Sequence, residues 1–148
     1  MTESAGIHHV TAICGDPKRN VAFYARNLGL RLVKKTVNFD DPSTWHLYYG
    51  DESGRPGTAL TFFAWGELPP GRNGNGMAVE TAFLIPESAL GYWTHRLVER
   101  GIPVTMLDAG THPPRGLLVR AAGNTLVRLS SQAEMLSASR ASPPLALL

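Results

Sequence analysis

The sequence predicts an α+β fold: two tandem units, each a strand, a helix and three more strands, forming a curved mixed-sheet trough with the helices on its convex side. Three observations carry this expectation. The chain opens on an apolar, β-branched run that a Gly-Asp-Pro break hands to an amphipathic helix. Three strand-like stretches follow, and after a linker rich in glycine and proline the same order starts again. The pattern reads as one domain over residues 1–131, with units at about 6–65 and 77–131 and a linker at 66–76. Residues 132–148 lose all periodicity and read as a loosely held tail.

The first strand, Gly6-Ile7-His8-His9-Val10-Thr11-Ala12-Ile13-Cys14, carries two adjacent histidines in an otherwise buried-looking run. Side chains alternate along a strand, so His9, Thr11 and Ile13 share one face, and His8, Val10, Ala12 and Cys14 the other. His9 is then assigned to the trough and His8 to the helix layer. Asp16 followed by Pro17 is an N-cap with a first-turn proline, and Val21, Tyr24, Ala25 and Leu28 recur at helical spacing until Gly29 supplies a left-handed cap. Residues 30–39, 45–51 and 58–65 read as strands, separated by the turn Asp40-Asp41-Pro42-Ser43 and the loop 52–57.

In the second unit, residues 77–85 read as a strand and Pro86-Glu87-Ser88 as a helix start. Residues 90–100 form the helix, closed by Gly101, and strands follow at about 104–107, 116–121 and 125–129. Aligning the halves sets Val10 over Thr81 and His9 over Glu80. First and last strands then meet in mid-trough, so the equivalent positions are His9, Glu80, Leu60 or Thr61, and Val127.

Bulk properties exclude several classes. A chain of 148 residues buries enough surface to fold without metal or disulfide, so a metal here would serve function. With 43% hydrophobic and 18% charged residues, no apolar run nears the ~20 residues of a membrane span. Residues 1–5 lack the features of a signal peptide, and with one cysteine this points to a cytoplasmic protein. Cys14 reads as a small buried hydrophobe. The net charge of +2 is scattered, with no basic stripe for nucleic acid.

The tandem unit with a histidine on strand one resembles the vicinal oxygen chelate superfamily of glyoxalases, bleomycin-binding proteins and extradiol dioxygenases. Four stretches are similar to one branch, the hydroquinone-type ring-cleaving dioxygenases, and to the N-terminal half of its members. They are Ile7-His8-His9-Val10-Thr11, His46-Leu47-Tyr48-Tyr49-Gly50-Asp51, Gly54-Arg55-Pro56-Gly57-Thr58 and Thr61-Phe62-Phe63. The resemblance implies that His9 is a metal ligand and that Thr11 and His8 lie in or beside the catalytic site. In that family a further histidine and a glutamate come from a second pair of units. It also implies a divalent metal, Fe(II) first, since two imidazoles and a carboxylate suit an oxygenase centre that leaves room for a phenolate and O₂.

Within this chain the trough positions supply only His9 and Glu80 as metal ligands, so the site is expected to be incomplete. Glu80 reads either as a ligand or as a member of a plain ion pair. His46 reads as a hydrogen-bonded core or rim group, Tyr48 and Tyr49 as strand core, and His95 and His112 as solvated residues. Two functions remain open: a ring-cleaving dioxygenase acting on hydroquinone- or catechol-like aromatics, and a non-catalytic small-molecule binding module. A glyoxalase-like isomerase would need a carboxylate base where Leu60, Thr61 and Val127 stand. Exposed sheet edges point to a homodimer.

Overall fold

Strand, helix and three strands do recur, and each set closes into its own four-stranded mixed sheet. The computed structural model describes residues 6–66, 68–69, 71–72, 74–107, 116–121 and 125–131. The elements are β1 (His9–Cys14), α1 (Pro17–Val21), β2 (Arg31–Val37), β3 (Trp45–Gly50) and β4 (Ala59–Ala64), then β5 (Glu80–Ile85), α2 (Leu90–Glu99), β6 (Val104–Leu107), β7 (Gly116–Arg120) and β8 (Leu126–Ser131). The first sheet runs β1-β4-β3-β2 and the second β5-β8-β7-β6. In both, the first strand pairs parallel with the last and the other pairs are antiparallel. The chain divides into two compact units after Pro69. The expected tail, the loops at 109–114 and 122–124, and His112 lie outside the described residues.

Local chemistry explains the helix boundaries. The Asp16 carboxylate accepts from the Lys18 N–H at 2.7 Å, and Pro17 occupies the first turn, where its missing donor costs nothing. After Val21 the helix widens into a π-helical stretch over Ala22–Asn27, in which the Leu28 N–H reaches the Phe23 carbonyl. Sequence periodicity does not distinguish this widening from an ordinary α-helix. Gly29, at φ 74°, lets the Leu30 N–H turn back to the Tyr24 carbonyl, the Schellman-type ending expected of a glycine here. Gly101, at φ 67°, ends the second helix in the same left-handed way. A 3₁₀ turn over Glu87–Ala89 leads into that helix.

Each unit has its own core under its helix. In the first, Leu47, Tyr49, Leu60 and Phe62 project from the sheet toward Tyr24, whose ring lies 4.6 Å from Phe62 and 5.4 Å from Tyr49. In the second, Leu117, Val119, Val127 and Leu129 are buried, as are Leu90 and Leu97 of α2. Cys14 is buried as expected, and burial, with Asp16 nearby, pushes its thiol up to about 11. The first strand departs from its expected burial. It is an edge strand with Val10 and Ile13 exposed, because only β4 covers one of its sides.

Candidate functional site

The strand register of the first unit sets out its face opposite the helix. Thr11 pairs with Thr61, Thr61 with Tyr48, and Tyr48 with Lys34, making one row across four strands. The next row is Ile13, Phe63, His46 and Thr36, and His9 starts the face opposite Ala59. Thr61 therefore belongs here and Leu60 to the core, which resolves the open choice between them.

A line of hydrogen bonds crosses this face. The Thr61 and Thr11 hydroxyl oxygens lie 2.8 Å apart in a hydrogen bond, His46 Nε2 lies 3.2 Å from Thr61 Oγ1, and the Tyr48 hydroxyl lies 3.0 Å from His46 Nδ1. Aromatic rings flank the imidazole, with Tyr48 and Phe63 each 4.1 Å away between centroids, and the Lys34 ammonium sits 5.5 Å over Tyr48. Burial, then the charges of His9 and Lys34, lower the His46 pKa from its ordinary value, which favours a neutral ring. His46 is the hydrogen-bonded rim group that its strand suggested. The two tyrosines separate: Tyr49 is core, whereas Tyr48 is half-buried on the polar face.

His8 corrects an expectation. It precedes β1, so strand alternation does not govern it, and it is exposed instead of packed on the helix layer. Its Nδ1 lies 2.9 Å from Nδ1 of His9, with the rings edge to face. One ring donates and the other accepts, so only the ring protonated at Nδ1 keeps an unprotonated Nε2 that could ligate a metal.

The start of β1 is held by the Gly54-Arg55-Pro56-Gly57-Thr58 loop, whose part the sequence motif did not disclose. Gly57, at φ 86°, donates its N–H to the His8 carbonyl at 2.7 Å. Asp51 organises the loop, accepting from the N–H groups of Ser53 and Arg55 at 3.1 Å and from Arg55 Nε at 2.5 Å. The Arg55 side-chain hydrogen bond is the largest cause lowering the Asp51 pKa to about 2.

In the second unit, Glu80 occupies the position His9 holds in the first, at the start of the strand paired parallel with the last. Arg128 occupies the Thr61 position, opposite Ala82 as Thr61 is opposite Thr11. Val127, expected on the site face, is fully buried on the other side of the sheet. A one-residue difference in register accounts for the change. Arg128 grips Glu80 from two nitrogens, Nε to Oε1 at 2.5 Å and Nη2 to Oε2 at 3.2 Å. Glu80 thus meets the ion-pair alternative, with a partner that the sequence pattern did not disclose. His95 is exposed on α2 and pairs with Glu99 at 3.3 Å.

Among the described residues no three His, Cys, Asp or Glu side chains gather closely enough to hold a metal ion. With Glu80 taken by Arg128, these residues do not by themselves fit a divalent metal.

Residues 6–113 match the model of the Glyoxalase/Bleomycin resistance protein/Dioxygenase superfamily. The chain belongs to this superfamily. It is 49% identical over 106 residues to "Putative ring-cleaving dioxygenase MhqO" of Bacillus subtilis strain 168, covering 72% of this chain and 34% of that protein. It is 34% identical over 102 residues to the chlorohydroquinone/hydroquinone 1,2-dioxygenase of Sphingobium indicum, covering 68% and 32% of the two chains. Among solved structures, a Bacillus subtilis "putative dioxygenase" is similar at TM-score 0.79 and 39% identity over 89% of this chain and 42% of that one. The Leishmania major glyoxalase I, at TM-score 0.71 and 16% identity, shares the fold over 93% of this chain and 94% of its own. The chain spans about a third of the length of the curated relatives it matches.

Proposed function

We propose that the chain binds hydroquinone- or catechol-like aromatics and contributes one wall of a ring-cleaving dioxygenase site. The observation that carries this is the unit-one face, where one hydroxyl–imidazole–phenol line runs beside His9 among aromatic rings. Likeness to a relative named a chlorohydroquinone/hydroquinone 1,2-dioxygenase supports the same substrate class. In this reading His9 is a metal ligand through Nε2, His8 orients it, and Thr11 addresses the substrate oxygen. Glu80, the second ligand candidate of the sequence, is held by Arg128 within its own unit. Fe(II) is the first choice of divalent metal, because imidazole and carboxylate oxygen suit it while leaving positions for a chelating phenolate. In this reading the protein is cytoplasmic and a homodimer, its exposed β1 edge favouring self-pairing. Among the described residues no helix is long and apolar enough to cross a membrane.

The experiment is anaerobic loading with Fe(II), measurement of retained metal, and oxygen uptake on adding hydroquinone. Near-stoichiometric retention with oxygen uptake is the result that the dioxygenase reading requires, and His9→Ala should then remove both. No retention and no uptake would sink the enzyme reading. Sedimentation at micromolar concentration tests the dimer. The Glu80–Arg128 pair favours a second reading, a binding module without metal chemistry, since a carboxylate already satisfied has little to gain from a cation. In that case hydroquinone binding persists in metal-free protein and in His9→Ala.

A further inference from the structure

Lys34 ends the row that starts at Thr11, and neither that row nor the next holds an aspartate or glutamate. Arg31, at the start of the same strand, has Glu52 at 3.9 Å. Lys34 has no carboxylate in ion-pair contact among the described residues. Its side chain is exposed but leans back over the sheet, with the ammonium 5.5 Å from the centre of the Tyr48 ring. The charge reaches mid-face: after burial, His9 and Lys34 are what lower the His46 pKa. Lys35 differs, since it pairs with the buried Leu47 on the helix side and lies 3.9 Å over Trp45.

Beside Lys34 the rings form a tilted stack. Tyr48, His46 and Phe63 follow one another at 4.1 Å between centroids, and Trp65 lies 5.4 Å beyond Phe63. Ring faces in the stack meet one another or Lys34, which leaves ring edges for a ligand lying on the sheet. Edges are the positive rim of an aromatic ring and suit the electron-rich face of a hydroxylated one. The Thr11–Thr61 hydroxyl pair stands at the β1 side, and the strand of Lys34 is two spacings from Thr61, roughly 10 Å. That is more than one phenol ring spans, and the backward lean of Lys34 shortens it by part of a side chain.

We propose that Lys34 is a specificity-determining residue of the unit-one face: among hydroxylated aromatics it selects those that carry a carboxylate on a short arm. The ring then lies on the stack with a hydroxyl toward Thr11 and Thr61, and the carboxylate meets the ammonium. The inference rests on the aromatic-binding part of the proposed function and needs neither metal nor oxygen.

The test uses the full chain without added metal and three probes: hydroquinone, 2,5-dihydroxyphenylacetate and the methyl ester of that acid. Each is titrated by NMR with the Tyr48 and Thr61 amides as reporters. The acid should bind about two- to fivefold more tightly than its ester, the worth of an exposed ion pair. The preference should vanish in 1 M salt, where charges are screened beyond about 3 Å. Lys34→Met should remove it and leave ester and hydroquinone affinities unchanged, Lys34→Arg should keep it, and Lys34→Glu should reverse it. Lys35→Met makes the same change in net charge on the other side of the sheet and should keep it. Equal binding of acid and ester by the wild type, a preference that survives Lys34→Met, or one lost equally in Lys35→Met would each overturn the inference. If hydroquinone and the ester bind but the acid gains nothing, the role of Lys34 fails and the aromatic-binding reading stands. If the acid preference follows Lys34 while Fe(II)-loaded protein consumes no oxygen, the dioxygenase reading fails and the role of Lys34 stands. If none of the probes binds, both fall.

Discussion

Tyr24 and Tyr49 are neighbours in one core, and burial is the first cause raising the phenol pKa of each. They differ at the hydroxyl. Tyr49 donates to Asn20 Oδ1 at 2.8 Å, with both groups buried, whereas the Tyr24 hydroxyl has no hydrogen-bond partner among the described residues. Removing one partner of a buried bond strands the other, so Tyr49→Phe should cost about 1–3 kcal/mol. Tyr24→Phe removes an unsatisfied group and should be neutral or stabilising. Urea denaturation of the two variants checks this, and a larger loss for Tyr24→Phe would contradict it. At the same scale, Thr11 and His9 were legible as residues of one face because alternation along a strand is a local property. The contacts of His46 were not, since they reach a threonine fifteen positions away and, through it, one at the opposite end of the unit.

At the scale of elements, the loop between β3 and β4 shows how a motif can be recognised before its use is understood. Asp51 gathers the loop, and Gly57 then holds the carbonyl of His8, fixing where β1 begins. The Asp51 pKa is lowered from its ordinary 3.8 to about 2, so its anion is favoured by the folded protein. The contribution of this latch is therefore complete above pH 3.8 and is lost as pH falls through about 2. Asp41 titrates in the same sense, held low by bonds from Ser43, Thr44 and Trp65. Asp51→Asn should loosen the latch at neutral pH, seen as faster hydrogen exchange at the Gly57 amide while exchange in β3 and β4 stays protected. Unchanged Gly57 protection would show that the loop holds without its carboxylate.

For the molecule as a whole, the repeat is the main architectural fact, and it places a core in each half. Leu47 and Leu97 are both fully buried, one in each unit. Each, replaced by alanine, should cost about 2–5 kcal/mol, the range for a large core cavity, measurable as a lower urea midpoint. An effect under about 1 kcal/mol at either site would mean that its core collapses around the gap. The repeat also shows how the halves have diverged. Thr61 closes a hydroxyl line in the first unit, and its counterpart Arg128 neutralises a carboxylate in the second.

The sequence by itself determined the element order, the duplication, the helix caps at Asp16, Gly29 and Gly101, and the equivalence of His9 with Glu80. All of these follow from periodicity, turn chemistry or self-alignment, which are properties of neighbouring residues or of the repeat. Only the tertiary structure decided that Arg128 takes Glu80 across 48 positions, that His8 turns to His9, and that the Thr61 hydroxyl stands between His46 and Thr11. The physical reason is register: sliding one strand by a single residue exchanges its two faces, and pairing between distant strands sets that slide.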